Sequence, residues 1–284
     1  MSHNNAEPII AQEVSPRKVS PDELSDGFRQ LGISAGDSVM LHASLDRIGD
    51  VDGGAAMVLH RLLGAIGKKG TLLMPTFTSI TRHSGTHDNF TKPGCWCEGS
   101  ETRHLPFIPD LQPDKTIGAI AHRLCSWPSS RRSNHPAFSF VAVGAGGDEL
   151  VREYDLLDPL LPIRRFLKHD PIVLTVGVLL DSVTAIHLAE EKKTCSKFVM
   201  ERALTISSKG PAWVDVLALG CSKGFERLRS SMQDVEHKET TIGSAEAQTF
   251  SMKRIVETAQ AHLDKDPCAL SCANTACLNC LRSV

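Results

Sequence analysis

The chain has 284 residues, 41% hydrophobic and 23% charged, with a formal net charge of −2. That composition supports a sizeable core and excludes disordered and fibrous classes. Aromatic residues make up 5%, with a single Tyr, and basic residues form no long run, which argues against single-stranded nucleic-acid platforms and phosphate-backbone binding.

The polar stretch Met1–Gln12 has no secretory h-region, and apolar runs such as Ile172 to Leu180 are too short to span a bilayer. The sequence therefore predicts a cytoplasmic protein with neither membrane nor nucleic acid as partner. Nine Cys, an odd count, do not make an even disulfide framework; most read as free thiols in a reducing compartment.

Residues 1–19 are expected to be a flexible leader, and 20–284 a single domain ending in a Cys-rich tail. Ser20-Pro21-Asp22-Glu23 is a helix start, with Ser as cap, Pro in the first turn and acids against the dipole. Leu24, Phe28 and Leu31 follow at helical spacing, and Gly32 can close the helix. Val39–His42 reads as a short buried strand. A helix through Met57, Leu59, Leu62, Leu63 and Ile66 then leads to a second strand, Thr71–Met74. Two apolar strands around one helix imply a parallel βαβ unit and an α/β protein.

Residues 77–115 are polar and aperiodic, and a long irregular stretch inside a domain is usually functional. Helical spacing returns at Ile117, Ile120, Ala121 and Leu124. Phe138–Val143 reads as strand, Glu149–Leu157 as helix, Ile172–Val178 as strand and the chain from Val183 as helix. Thr205–Ile206 and Trp213–Leu217 can pair around Lys209-Gly210-Pro211. The remainder reads as mixed helix.

Ligands of α/β proteins gather at strand ends, and three such ends carry polar residues. His42-Ala43-Ser44-Leu45 can hold a phosphate or simply cap a turn. Arg131-Arg132-Ser133-Asn134-His135-Pro136 is an anion-binding loop or a solvated basic one. Asp181 precedes His187 and Glu190, which share one helix face. A carboxylate beside a His fixes its tautomer and raises its basicity, as a general base requires; the same pair also suits a satisfied buried His. No nucleophile elbow, dinucleotide fingerprint or P-loop occurs, which lowers the prospects for a serine hydrolase, dehydrogenase or kinase.

An ordered set of pieces resembles the aminoglycoside 3-N-acetyltransferase family. It comprises Leu31-Gly32-Ile33 with Gly36-Asp37, Leu41–Leu45, Gly53-Gly54, Gly70–Thr76, Pro106-Phe107, Pro113–Gly118, Arg132–Pro136, Gly177-Val178, Thr184 with His187-Leu188-Ala189-Glu190, and Ile242–Ala245. The resemblance implies a three-layer α/β/α sandwich with a central mixed sheet. It implies acetyl-CoA as donor, a small-molecule amine as acceptor, and direct transfer in a ternary complex. Carried over by position, His187 is the general base, with Glu190 and Asp181 orienting it or contacting the acceptor. His42, Ala43, Ser44, Leu45, Thr76, Thr116, Gly118, Arg132, Ser133 and His135 line the CoA site.

The chain departs from the family at Tyr154–Pro162 and in the long 77–105 loop with Cys95-Trp96-Cys97, both where acceptor choice is made. Asp155, Asp158 and Glu98 are the acids there that can meet a cationic acceptor, either an aminoglycoside or another small amine. No metal ligand is assigned. Cys268, Cys272, Cys277 and Cys280 read chiefly as thiols, with a tetrahedral zinc site as the lesser reading. In that reading the chain is a non-catalytic binding protein that uses its tail for contacts. The sequence leaves the oligomeric state open, a homodimer being one option.

Overall fold

The computed structural model describes residues 17–83, 104–191, 198–274, 277 and 280. Glu98 and the Cys95-Trp96-Cys97 stretch lie outside the described residues, as does the leader up to residue 16. The last leader residues are placed: Lys18–Val19 (β1) pairs in parallel with Asp50–Val51 (β3), and Val19 is fully buried.

Helix α1 (Pro21–Gln30) begins where the sequence predicts, with the Ser20 hydroxyl accepting from the Glu23 amide at 3.2 Å. It buries Leu24 and Phe28. Strand β2 (Ser38–Ala43) runs into α2 (Leu45–Ile48), and α3 (Gly54–Ile66) returns the chain to β4 (Thr71–Pro75). After β5 (Arg82–His83) come α4 (Ala119–Cys125), β6 (Arg131–Arg132), β7 (Phe140–Gly144), α5 (Gly147–Val151), α6 (Leu161–Phe166) and β8 (Ile172–Val176). The chain continues through α7 (His187–Glu190), the hairpin β9 (Val199–Ser207) and β10 (Gly210–Ala218), α8 (Arg229–Met232), a second hairpin of β11 (His237–Ile242) and β12 (Ala245–Ser251), and α9 (Met252–Lys265).

Among the described residues the main sheet has seven strands, in the order β11-β12-β8-β2-β4-β7-β6. Its centre is parallel, β2 between β4 and β8, and its flanks are antiparallel. The three central strands are buried on both faces, which is why they read as continuous apolar runs. Two clusters cover the faces. One packs α1, α3 and α4 against Val39, Leu41 and Leu72. The other packs α5, α6, α7 and α9 against Met40, Leu73 and Val173, together with Ala203 and Val216 of the β9–β10 hairpin. The result is the expected α/β/α sandwich with a mixed sheet. Among the described residues, no helix is long and apolar enough to cross a membrane.

Several expectations are corrected. The helix expected over 149–157 ends at Val151, because Asp155 and Asp158 turn the chain by accepting from the Leu157 and Leu160 amides. The helix expected from Val183 is two 3₁₀ turns, Leu180–Ser182 and Thr184–Ile186, before the single turn of α7. The region read as mixed helix holds the β11–β12 hairpin, closed at Gly243-Ser244. Gly243 has φ +62°, which a residue with a side chain rarely adopts.

Candidate active site

Parallel alignment brings the carboxyl ends of β2, β4 and β8 to one edge of the sheet, where a cavity of about 840 Å³ opens. Along β2, residues alternate between faces. Leu41 and Ala43 go to the α1/α3 layer, while Met40 and His42 face the layer that contains α7. His42 is buried and lines the cavity, and its Nε2 is a buried nitrogen without a hydrogen-bond partner. Burial lowers its pKa to about 4, so the ring is neutral at physiological pH. Ala43, Ser44 and Leu45 continue the wall, and the Ser44 hydroxyl caps α2 by accepting from the Arg47 amide.

His187 lies on the opposite wall. It follows the two 3₁₀ turns after β8, and the single helical turn that it begins places Glu190 beneath it. Its Nδ1 is 2.7 Å from Glu190 Oε2. Both side chains are almost wholly buried, yet the imidazole reaches the cavity surface. Phe225 holds the ring edge-on, with centroids 4.7 Å apart. A buried carboxylate on Nδ1 favours Nδ1–H as donor and leaves Nε2 as the basic nitrogen.

Asp181 lines the same cavity but does not orient His187. Its carboxylate is bound by Lys223 Nζ at 2.6 Å and by the Ser182 hydroxyl. That ion pair raises the pKa of Lys223. Thr116 and Gly118 also line the cavity, just before α4.

Other expected CoA contacts are placed elsewhere, behind the cavity wall. The Arg132 guanidinium is spent on the interior. It donates to Thr76 O at 2.8 Å, to the hydroxyls of Thr76, Thr78 and Ser139, and to the carbonyls of Pro109 and Leu111. Thr76 and Ser133 are fully buried, and the Ser133 hydroxyl accepts from the Phe140 amide. His135 Nδ1 accepts from the Ala137 and Phe138 amides, and burial lowers its pKa to about 4. Apart from the exposed Arg131 and Asn134, the 131–136 loop thus packs inward, Arg132 bonding to neighbouring segments and Ser133 and His135 to the 137–140 backbone.

Asp155 and Asp158 are likewise absent from the cavity lining: Asp158 pairs with Arg164, which is also held by Glu191. Among the described residues, the carboxylates that line the cavity are Asp46 and Asp181, and the cations are Arg82 and Lys115. Arg82 is bonded to Glu201 at 2.8 Å and covers the Phe138 ring. Asp46, Lys115, Ser182 and the stretch Leu219-Gly220 were not singled out from sequence. The first three adjoin singled-out residues, whereas Leu219-Gly220 reaches the cavity only through the β9–β10 hairpin.

The cysteines are also regrouped. Cys221, Cys272, Cys277 and Cys280 gather their sulfur atoms within 4.8 Å of one another. Cys268, expected to belong to the tail quartet, is disulfide-bonded instead.

Comparison with known proteins agrees with this arrangement. The sequence profile of the family described as aminoglycoside 3-N-acetyltransferase matches residues 40–264. The chain is 26% identical over 258 residues to the prophage-derived aminoglycoside N(3')-acetyltransferase-like protein YokD of Bacillus subtilis, covering 89% of this chain and 94% of that protein. The crystal structure of YokD superposes with a TM-score of 0.79 over 88% of this chain and 95% of that one, at 25% identity. An aminoglycoside N(3)-acetyltransferase III of Serratia marcescens is 37% identical over 175 residues, covering 60% of this chain and 63% of its own. A mutant of aminoglycoside acetyltransferase AAC(3)-IVa in complex with gentamicin superposes with a TM-score of 0.76 at 25% identity, covering 94% and 98% of the two chains. With more than half of its length matched by the family profile, the chain belongs to the aminoglycoside 3-N-acetyltransferase family.

Proposed function

We propose that the cavity between His42 and His187 is where an acetyl group passes from acetyl-CoA to the 3-amino group of an aminoglycoside, with His187 as general base. Membership of the family makes the chain an acetyl-CoA-dependent N-acetyltransferase. The observation that carries the finer reading is the buried 2.7 Å His187–Glu190 pair in the wall of an 840 Å³ cavity. A cavity of that size lies within the usual range for ligand sites.

The acceptor must be a neutral amine to attack, while most amines are protonated at neutral pH. His187 Nε2 takes the amine proton as nitrogen bonds to the thioester carbonyl carbon. Glu190 on Nδ1–H holds the tautomer and offsets the imidazolium charge. Collapse of the tetrahedral intermediate breaks the carbon–sulfur bond, and CoA leaves as thiolate, which can recover the proton. Holding both substrates in one cavity supplies much of the acceleration. Lys115 at the cavity offers a cation to the CoA phosphates, and Asp46 and Asp181 offer carboxylates to the acceptor. The reading places the enzyme in the cytoplasm, where acetyl-CoA is available.

Incubation with acetyl-CoA and a panel of aminoglycosides, followed by mass spectrometry and NMR, should give a mono-acetylated product substituted at the 3-amino group. No product with any amine, together with no CoA binding by calorimetry, overturns the reading. Initial velocities should give intersecting double-reciprocal lines; parallel lines overturn direct transfer. A second reading is favoured by the placement of Asp155 and Asp158 away from the cavity: the acceptor is a less highly charged small amine. Turnover confined to monoamines in the same panel selects it.

A further inference from the structure

Cys221 sits three residues beyond β10, in a segment whose neighbours Leu219, Gly220 and Ser222 line the cavity. Cys272, Cys277 and Cys280 come from the far side of α9. All four sulfur atoms lie within 4.8 Å of one another, and those of Cys272 and Cys280 are 3.5 Å apart. A tetrahedral zinc with Zn–S of about 2.3 Å requires sulfur–sulfur edges of about 3.8 Å. The sulfur separations bracket that edge, so small side-chain adjustments bring the quartet to a zinc tetrathiolate.

Two further features fit. The Cys277 and Cys280 ligands are spaced as a Cys-x-x-Cys knuckle, and the Cys280 amide closes its turn on the Cys277 carbonyl at 3.0 Å. Backbone amides also reach the sulfurs: Cys280 to Cys277, and Lys223 to Cys221. Such N–H···S bonds stabilise thiolates and orient them toward a metal. Soft sulfur donors in a tetrahedron select zinc over hard cations.

We propose that Cys221, Cys272, Cys277 and Cys280 bind a structural zinc ion that clasps the C-terminal segment to the cavity-lining loop after β10. Four S–H bonds give way to four Zn–S bonds, and the protons go to solvent; no oxidant or reductant takes part. The clasp has mechanical consequences for the loop. Lys223, two residues from the ligand Cys221, holds Asp181 in the cavity wall. Gly224 packs so tightly on the Leu270 carbonyl that a side chain there has no room. Zinc in this position fixes the loop without touching the reacting groups, and the inference does not depend on the proposed acceptor.

The test uses untagged full-length protein made with zinc in the medium. Elemental analysis should find one zinc per chain. Replacement by cobalt(II) should give sulfur-to-cobalt charge-transfer bands and the intense red-region absorption of a tetrahedral thiolate site. Cys221→Ser should need more than about 100-fold less chelator to lose half its metal, a larger loss than second-sphere changes cause. Cys125→Ser, in α4 and outside the quartet, should match the unaltered protein. Stripping the metal should lower the Tm, and added zinc should restore it. No zinc together with no cobalt spectrum overturns the proposal. So does zinc held equally tightly by Cys221→Ser, or a mass showing the quartet joined as disulfides. Because the unaltered protein is measured first, a Cys221→Ser chain that does not fold leaves a decisive result.

Discussion

His187 and Glu190 meet through a 2.7 Å hydrogen bond with both side chains almost completely shielded from solvent. In that setting the bond is made before substrate arrives, and water cannot compete for either partner. Replacing His187 with Asn should lower kcat by roughly 100- to 10,000-fold, the range for a positioned base, with little change in KM for acetyl-CoA. Replacing Glu190 with Gln should also lower kcat, because the amide cannot stabilise the imidazolium. Steady-state kinetics check both; an active His187→Asn enzyme removes His187 from the mechanism.

The two neutral, buried histidines should make the protein acid-sensitive. His42 and His135 have folded pKa values of about 4 against an ordinary 6.5. Between those values the unfolded chain binds protons that the folded chain refuses, so stability falls as pH drops. The loss begins below pH 6.5 and levels off near 4, and amounts to at most about 3 kcal/mol per histidine. Urea denaturation as a function of pH should show that slope. His42→Asn and His135→Asn should each flatten it.

Arg132 should matter for stability rather than for CoA affinity. Its guanidinium donates to three hydroxyls and three carbonyls around Thr76 and stacks over the Phe107 ring. Arg132→Ala should destabilise the fold by at least about 2–3 kcal/mol, since several buried acceptors lose a donor. Arg132→Lys should rescue it only in part, because one ammonium cannot span the fork. Thermal denaturation measures the loss. A normal Tm with a sharply raised KM for acetyl-CoA would restore the anion-binding role expected from sequence.

Asp181 should act on the acceptor. Its ion pair with Lys223 is partly exposed and worth little to stability. Asp181→Asn should therefore leave Tm nearly unchanged while raising KM for a cationic acceptor, with kcat close to normal. Added salt should shrink the difference between the two enzymes. Equal KM values at low ionic strength would remove Asp181 from acceptor binding.

The parts of the fold legible in the sequence are those where one residue type answers one physical demand. Strands β2, β4 and β8 announce themselves because burial on both faces leaves only apolar side chains. The start of α1 is legible because Ser20 and Pro21 each have a specific job at a helix end. The β11–β12 hairpin is hard to see because its inward positions include Ala245 and Ala247, too small to mark an alternation. In the site, His187 and Glu190 are legible because they lie three positions apart along the chain, on one helix face. Arg132 is misleading, since a basic loop residue looks the same whether it meets a phosphate or an interior carbonyl. Cys221 could not be joined to the tail from spacing, because only tertiary structure closes that distance.

The central strand β2 carries one wall of the cavity, and its neighbour β8 leads into the other. In turn β8 is enclosed by β12, with Thr175 opposite Gln248. No short stretch of chain can prefigure this arrangement, so its loop-closure entropy must be met before any ligand contact forms. A nascent polypeptide still lacking β12 has an uncovered edge on β8, and binding competence should arise in a single late step of folding. Recovery of acetyl transfer during refolding should lag behind recovery of helical circular dichroism and coincide with protection of the β8 amides from exchange.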